Sequence, residues 1–175
     1  MHAKLPAMQR RTLIKLGVVS AALVAVVGGT AAFIKPGLER GSLTPAGREI
    51  FRAIGSAILN KSLPDQPTAR QAAVTELISR IDTLISALPE HAQAELSQLL
   101  SILATGAGRR ALAGLSATWP DASVPELQAA LQDMRLSSFA VRQQAYAALH
   151  EITASAYFSE PGTWGLLGYP GPLVI

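Results

Sequence analysis

Residues Leu43–Asp65 read LTPAGREIFRAIGSAILNKSLPD, and this stretch decides the fold class. Its large apolar residues, Ile50, Phe51, Ile54, Ile58 and Leu59, recur three and four positions apart, the period of a helix with one buried face. A strand would alternate every second residue, and this segment does not. Thr44 is placed to cap the helix, because its hydroxyl can accept a hydrogen bond from a free first-turn N–H. Pro45 follows at the first helical position, where its missing N–H costs nothing. Pro64 stops the segment.

Working outward, the same period continues. Val74, Leu77, Ile78, Ile81, Leu84, Ile85 and Leu88 form an apolar stripe that predicts a second helix from about Thr68 to Leu88. Glu76 and Arg80 stand four apart on its polar side, an ion pair worth a few tenths of a kcal/mol. Pro89 is expected to open a third helix, with Leu96, Leu99, Leu100 and Leu103 on one face and Gly106 and Gly108 ending it. The stretch RRALAGLSATWPDAS that follows reads as a short helical turn and a loop. Ser123 caps the next helix, with Pro125 just inside it and Leu127, Leu131 and Met134 on one side. A last helix is expected to begin near Ser137 or Ser138 and to carry Phe139, Arg142, Tyr146, Leu149, Ile152, Ala156 and Tyr157. The class is all-α: a small irregular bundle whose short loops favour antiparallel neighbours.

Composition narrows the functions. At 175 residues, 49% of them apolar and 15% charged, the chain suits one domain with a core and not a disordered or solvated rod. The net charge of +3 belongs to the leader, since from Pro36 onward 10 basic residues face 12 acidic ones, a net of −2. That body lacks the one-signed basic face that nucleic acid requires. Arg109-Arg110 is its only adjacent basic pair. Without cysteine there is no disulfide, thiolate metal site, c-type haem attachment or cysteine nucleophile.

The N-terminus carries an address. In MQRRTLIKLGVVSAALVAVVGGTAAFIKPG, a basic segment precedes nineteen uncharged residues from Leu16 to Ile34, closed by Lys35-Pro36. This is the charge order of an export signal. Gln9, Arg10, Arg11, Thr12, Leu13, Ile14 and Lys15 resemble the bacterial twin-arginine motif at every position. As a helix the apolar run would measure about 28 Å, close to the hydrocarbon thickness, so a retained anchor is the alternative to a cleaved signal. Either places the basic end in the cytoplasm and the body beyond the inner membrane. The twin-arginine route carries folded proteins, often with a bound partner.

Chemistry of its own is hard to find in this chain. His2 lies in the leader, His91 in the first turn of a helix, and His150 beside Glu151 in the last one; no two histidines stand at ligand spacing. GAGRRALAG lacks the GxGxxG spacing and the βαβ setting of a nucleotide loop. No catalytic, cofactor-binding or metal-ligating residue is expected.

The ends of the chain carry a resemblance. The leader motif, the early Leu43-Thr44-Pro45, Leu63-Pro64-Asp65, and the terminal AYFSEPGTWGLLGYPGP with Tyr157, Pro161, Trp164, Gly168, Tyr169, Pro170 and Gly171 together resemble the gluconate 2-dehydrogenase subunit 3 family. These are small subunits of periplasmic, membrane-associated flavoprotein dehydrogenases. The resemblance implies a non-catalytic escort whose twin-arginine leader, read on Arg10, Arg11, Leu13, Ile14 and Lys15, exports a folded complex through the twin-arginine translocase. It implies a large FAD-containing partner of the glucose-methanol-choline type and, further along the electron path, a cytochrome c subunit bearing haem c. Many members have cysteines that this chain lacks.

The expected organisation is a signal or anchor over 1–35, a linker over 36–44, a helical domain over 45–158 and an extended docking tail over 159–175. Two readings of the tail stay open: Trp164 and Tyr169 anchor on a partner, or they fold back to cap the protein's own helices. Two other functions also remain, an anchored scaffold without a dehydrogenase and a small enzyme using His150, Glu151 and Tyr157.

Overall fold

A computed structural model of the chain describes residues 35–169. The leader residues Arg10, Arg11, Leu13, Ile14 and Lys15, and Pro170 and Gly171 of the tail, lie outside the described residues. The described residues are mostly helical, and none of their helices is long and apolar enough to cross a membrane.

The order is a hairpin, β1 (Leu38–Glu39) and β2 (Ser42–Leu43), followed by α1 (Pro45–Ile58), α2 (Pro67–Ser86) and α3 (Glu90–Ala104). A turn α4 (Gly106–Gly108) continues as a π-turn over Arg109–Ala113, and α5 (Val124–Arg135) and α6 (Ala140–Phe158) follow. A 3-10 turn over Pro161–Leu167 ends the described chain.

Helix α1 is the centre. Thr44 caps it by accepting from the Gly47 N–H, Pro45 sits at its start, and Ile50, Phe51 and Ile54 are completely buried. The helix packs against α2, α3, α5 and α6. Gly55 leaves room for a side chain of α2: a Cβ there would stand 2.7 Å from Leu77 Cδ2. Around it gather Leu77, Ile81 and Ile85 of α2, Leu100 and Leu103 of α3, Met134 of α5 and Leu149 of α6. Burying such side chains stabilises by about 1.5–3 kcal/mol each, so this cluster holds the bundle together.

The segment expected as a linker over 36–44 is instead part of the folded body. Leu38 pairs with Leu43 and Glu39 with Ser42, and both leucines are buried. Arg40 and Gly41 make the reversal with φ of 51° and 77°, the left-handed pair that suits a tight hairpin. The hairpin is held from outside: Gly37 N–H donates to Ser97 O at 3.3 Å, Leu38 N–H to Ser97 Oγ at 3.1 Å, and Leu43 N–H to Asp82 Oδ1 at 2.8 Å. Asp82 also pairs with Arg48 of α1, whose Nε donates to Leu43 O at 3.2 Å. Two-residue strands are too short to show a period, which is why the sequence reads there as a linker.

Other boundaries also differ. Helix α2 starts at Pro67 and ends at Ser86, a residue earlier and two residues earlier than its stripe predicts. Gly106 and Gly108 do not end α3; it stops at Ala104, and Thr105 accepts from the Gly108 N–H to start a new helical turn. Helix α6 begins at Ala140, not near Ser137 or Ser138, so Phe139 is the residue before it rather than part of it, and is 66% exposed. Trp119, in the irregular stretch, is buried with its indole N–H on Leu103 O at 2.9 Å. Arg109 is buried as well and reaches Ser116 O, while Arg110 is exposed, so the basic pair does not face one way.

Candidate docking surface

The tail departs from the extended form expected for it. A helix end leaves its last carbonyls without intrahelical donors, and in α6 the tail supplies them. Trp164 Nε1 donates to Phe158 O at 2.8 Å, and the one Thr163 hydroxyl proton is shared between Tyr157 O at 3.2 Å and, just beyond the helix, Glu160 O at 2.7 Å. Pro161 opens the 3-10 turn at its first position, and Gly168 closes it with φ of 68°, a backbone angle that glycine adopts without strain. The proline and glycine that look like helix breakers are the start and stop of this turn.

The surface then divides into a base and a crest. At the base, Tyr157 is buried, and its hydroxyl donates to Ser62 O at 2.7 Å. Its ring meets Phe158 edge to face at 5.1 Å. Burial raises the Tyr157 phenol above its ordinary value, and the Arg80 charge acts the other way. Glu160 reaches Arg80 Nη1 at 3.3 Å, and Arg80 also holds Glu76 at 3.1 Å, so the α2 pair expected from the sequence gains a third member from the tail. At the crest, Tyr169 lies 5.4 Å from the half-buried Trp164, ring centre to ring centre, at 55°. Tyr169 is 48% exposed and Leu166 58% exposed.

Five of the residues named for docking are thus described, and they separate by role. Tyr157 is a packing residue, Pro161 and Gly168 shape the turn, Trp164 ties the turn to α6, and Tyr169 faces solvent. Leu166, which no sequence signal singled out, joins Tyr169 on the exposed side.

His150, Glu151 and Tyr157 are not brought together. The His150 ring lies 5.4 Å from that of Tyr146, Tyr157 is engaged with Ser62, and no hydrogen bond joins the three among the described residues. No group of three or more His, Cys, Asp or Glu among the described residues is arranged to hold a metal ion. Elsewhere, Leu136 and Phe139 project from the turn between α5 and α6, 67% and 66% exposed, at the opposite end of α6 from the tail. No family model, curated protein or solved structure matches the chain.

Proposed function

We propose that this protein is a non-catalytic small subunit and export escort of a periplasmic FAD-dependent dehydrogenase of the glucose-methanol-choline type, one that oxidises an alcohol, sugar or sugar acid. On this reading the leader, through Arg10 and Arg11, takes the folded complex through the twin-arginine translocase to the outer side of the inner membrane, where the leader is cleaved or stays as an anchor. FAD belongs to the large partner and haem c to a cytochrome subunit beyond it. The resemblance of both chain ends to the gluconate 2-dehydrogenase subunit 3 family supports this assignment.

One observation of the fold carries it: Leu166 and Tyr169 are exposed on a turn that Trp164, Thr163 and Glu160 fix to the body. Apolar side chains held out on an ordered platform mark an interaction surface. Because the platform is already folded, docking orders little additional chain, and the cost of association falls.

Replacing Arg10 and Arg11 by lysine tests the escort role. The expected result is that this chain and the flavoprotein both stay in the cytoplasm, and normal periplasmic dehydrogenase activity would overturn it. Isolation from the native membrane adds a spectroscopic check. A flavin absorption that co-purifies supports the escort, and its absence supports an anchored scaffold instead.

A further inference from the structure

A groove of about 190 Å³ runs between α2, α3 and α6. Leu84, Leu88, Leu96, Leu99 and Ile152 make it apolar, and among the described residues Glu95 and Glu151 are the only ionisable ones that line it. Glu95 Oε2 is shut off from solvent and has no hydrogen-bond donor among the described residues. A carboxylate oxygen removed from water without a donor is costly, so a donor brought from outside would be bound with an unusual gain. Among the described residues no lysine, arginine or histidine lines the groove to meet it.

The groove runs along the α2–α6 seam toward the end of the body that carries the tail. Arg80, which holds Glu160, stands one helical turn before Leu84 on α2. On α6, Ile152 at the groove is followed within two turns by Tyr157 and Phe158 beneath the tail. We propose that the groove is the second half of the partner contact, and that it receives an apolar segment of the partner carrying one lysine or arginine, whose charge is seated on Glu95. This rests on the reading that the chain holds a partner protein. The walls select the apolar residues by burial, and the two acids select the sign of the charge. An anionic lipid surface would meet the same two acids as repulsion.

The chain as made in its own cells serves for the test. A photo-crosslinking residue replaces Gln144 or Ser155 at the groove, Leu166 at the tail, or the exposed Ala129 of α5 as a control. The peptide captured is then sequenced by mass spectrometry. The groove positions are expected to capture a peptide in which a lysine or arginine is flanked by apolar residues, well above the control. Glu95→Gln should lower that capture at least about tenfold, the scale expected when a hydrogen bond between charged groups is lost. Glutamine keeps the shape of glutamate, and an unchanged melting curve confirms that the variant folds.

Capture no better than at Ala129, a captured peptide without a cation, a second copy of this chain, or insensitivity to Glu95→Gln would each overturn the proposal. If Leu166 captures a flavoprotein while the groove captures nothing, this inference fails and the escort reading stands. If the groove captures a cationic apolar segment of a protein without flavin, the inference stands and the escort reading fails.

Discussion

The Tyr157 hydroxyl donates to the Ser62 carbonyl oxygen at 2.7 Å, joining the last turn of α6 to the bend that follows α1, 95 residues earlier in the chain. Tyr157→Phe keeps the ring and removes this bond, and should lower stability by about 1 kcal/mol in urea unfolding. The variant should also change the alkaline limb. Burial raises the phenol above its ordinary 10.0, so the fold favours the neutral form. Its contribution is whole below pH 10.0 and is lost as pH rises through the higher folded value. Tyr157→Phe should therefore lose stability less steeply above that pH than the native chain does.

The tail separates into a residue that stabilises and residues that present. Trp164→Ala removes the indole bond to Phe158 O and the packing against Tyr169, and should lower the melting temperature of the isolated protein. Leu166→Ala, on an exposed side chain, should leave that temperature within about a degree or two, and Tyr169→Ala, which gives up only the ring contact with Trp164, should lower it less than Trp164→Ala does. On the proposed function the same two variants weaken co-purification of the partner. Equal melting losses for all three would place the whole tail in the protein's own core.

Ser123 and Glu126 form a reciprocal cap on α5: Ser123 Oγ accepts from Glu126 N–H, and Glu126 Oε2 accepts from Ser123 N–H at 2.8 Å. The Ser123 hydroxyl and N–H hold the Glu126 carboxyl below its ordinary 4.5. The charged form is favoured in the fold, so the carboxylate's share of the cap is whole above 4.5 and is lost as pH falls through the lower folded value, while the bond from Glu126 N–H to Ser123 Oγ remains. Ser123→Ala should reduce stability at both pH values, by more near neutral pH than at about pH 2, below the usual carboxylate range, measured by chemical unfolding at the two values.

Asp82→Ala should loosen the hairpin, because Leu43 N–H loses its acceptor next to a buried side chain. A cost of about 1–3 kcal/mol is expected. Most of it comes from that orphaned donor, since Arg48 is over a third exposed and its ion pair is screened by water. Amide exchange should speed up at Leu38 and Leu43 more than in α1 if the hairpin opens locally.

Where a residue acts within its own helix, the sequence was readable. Thr44 with Pro45 and Ser123 with Pro125 mark helix starts because a cap is a contact over three residues. The leucine and isoleucine stripes mark buried faces because period alone defines them. What the sequence did not show depends on partners far along the chain. Asp82 looks like an ordinary surface acid until Leu43 and Arg48 meet it, and Trp119 sits among turn residues that carry no period. Glu95 lies on the flank of α3 in any helical projection, and only the approach of α2 and α6 closes the groove around it. The tail misled for a different reason: a 3-10 turn repeats every three residues, and its prolines and glycines imitate the end of structure.

The hairpin also determines how the body answers a mechanical load. Gly37 is fastened to α3 through Ser97, Leu43 to α2 through Asp82, and Thr44 to α1 through its own cap, while Thr44 N–H closes back on Gly37 O at 3.1 Å. A pull along the chain from residue 36 therefore reaches three helices within eight residues, before it can peel any one of them from its end. A bundle fastened in this way is expected to resist unfolding when it is pulled from that end, because the load is shared among helices.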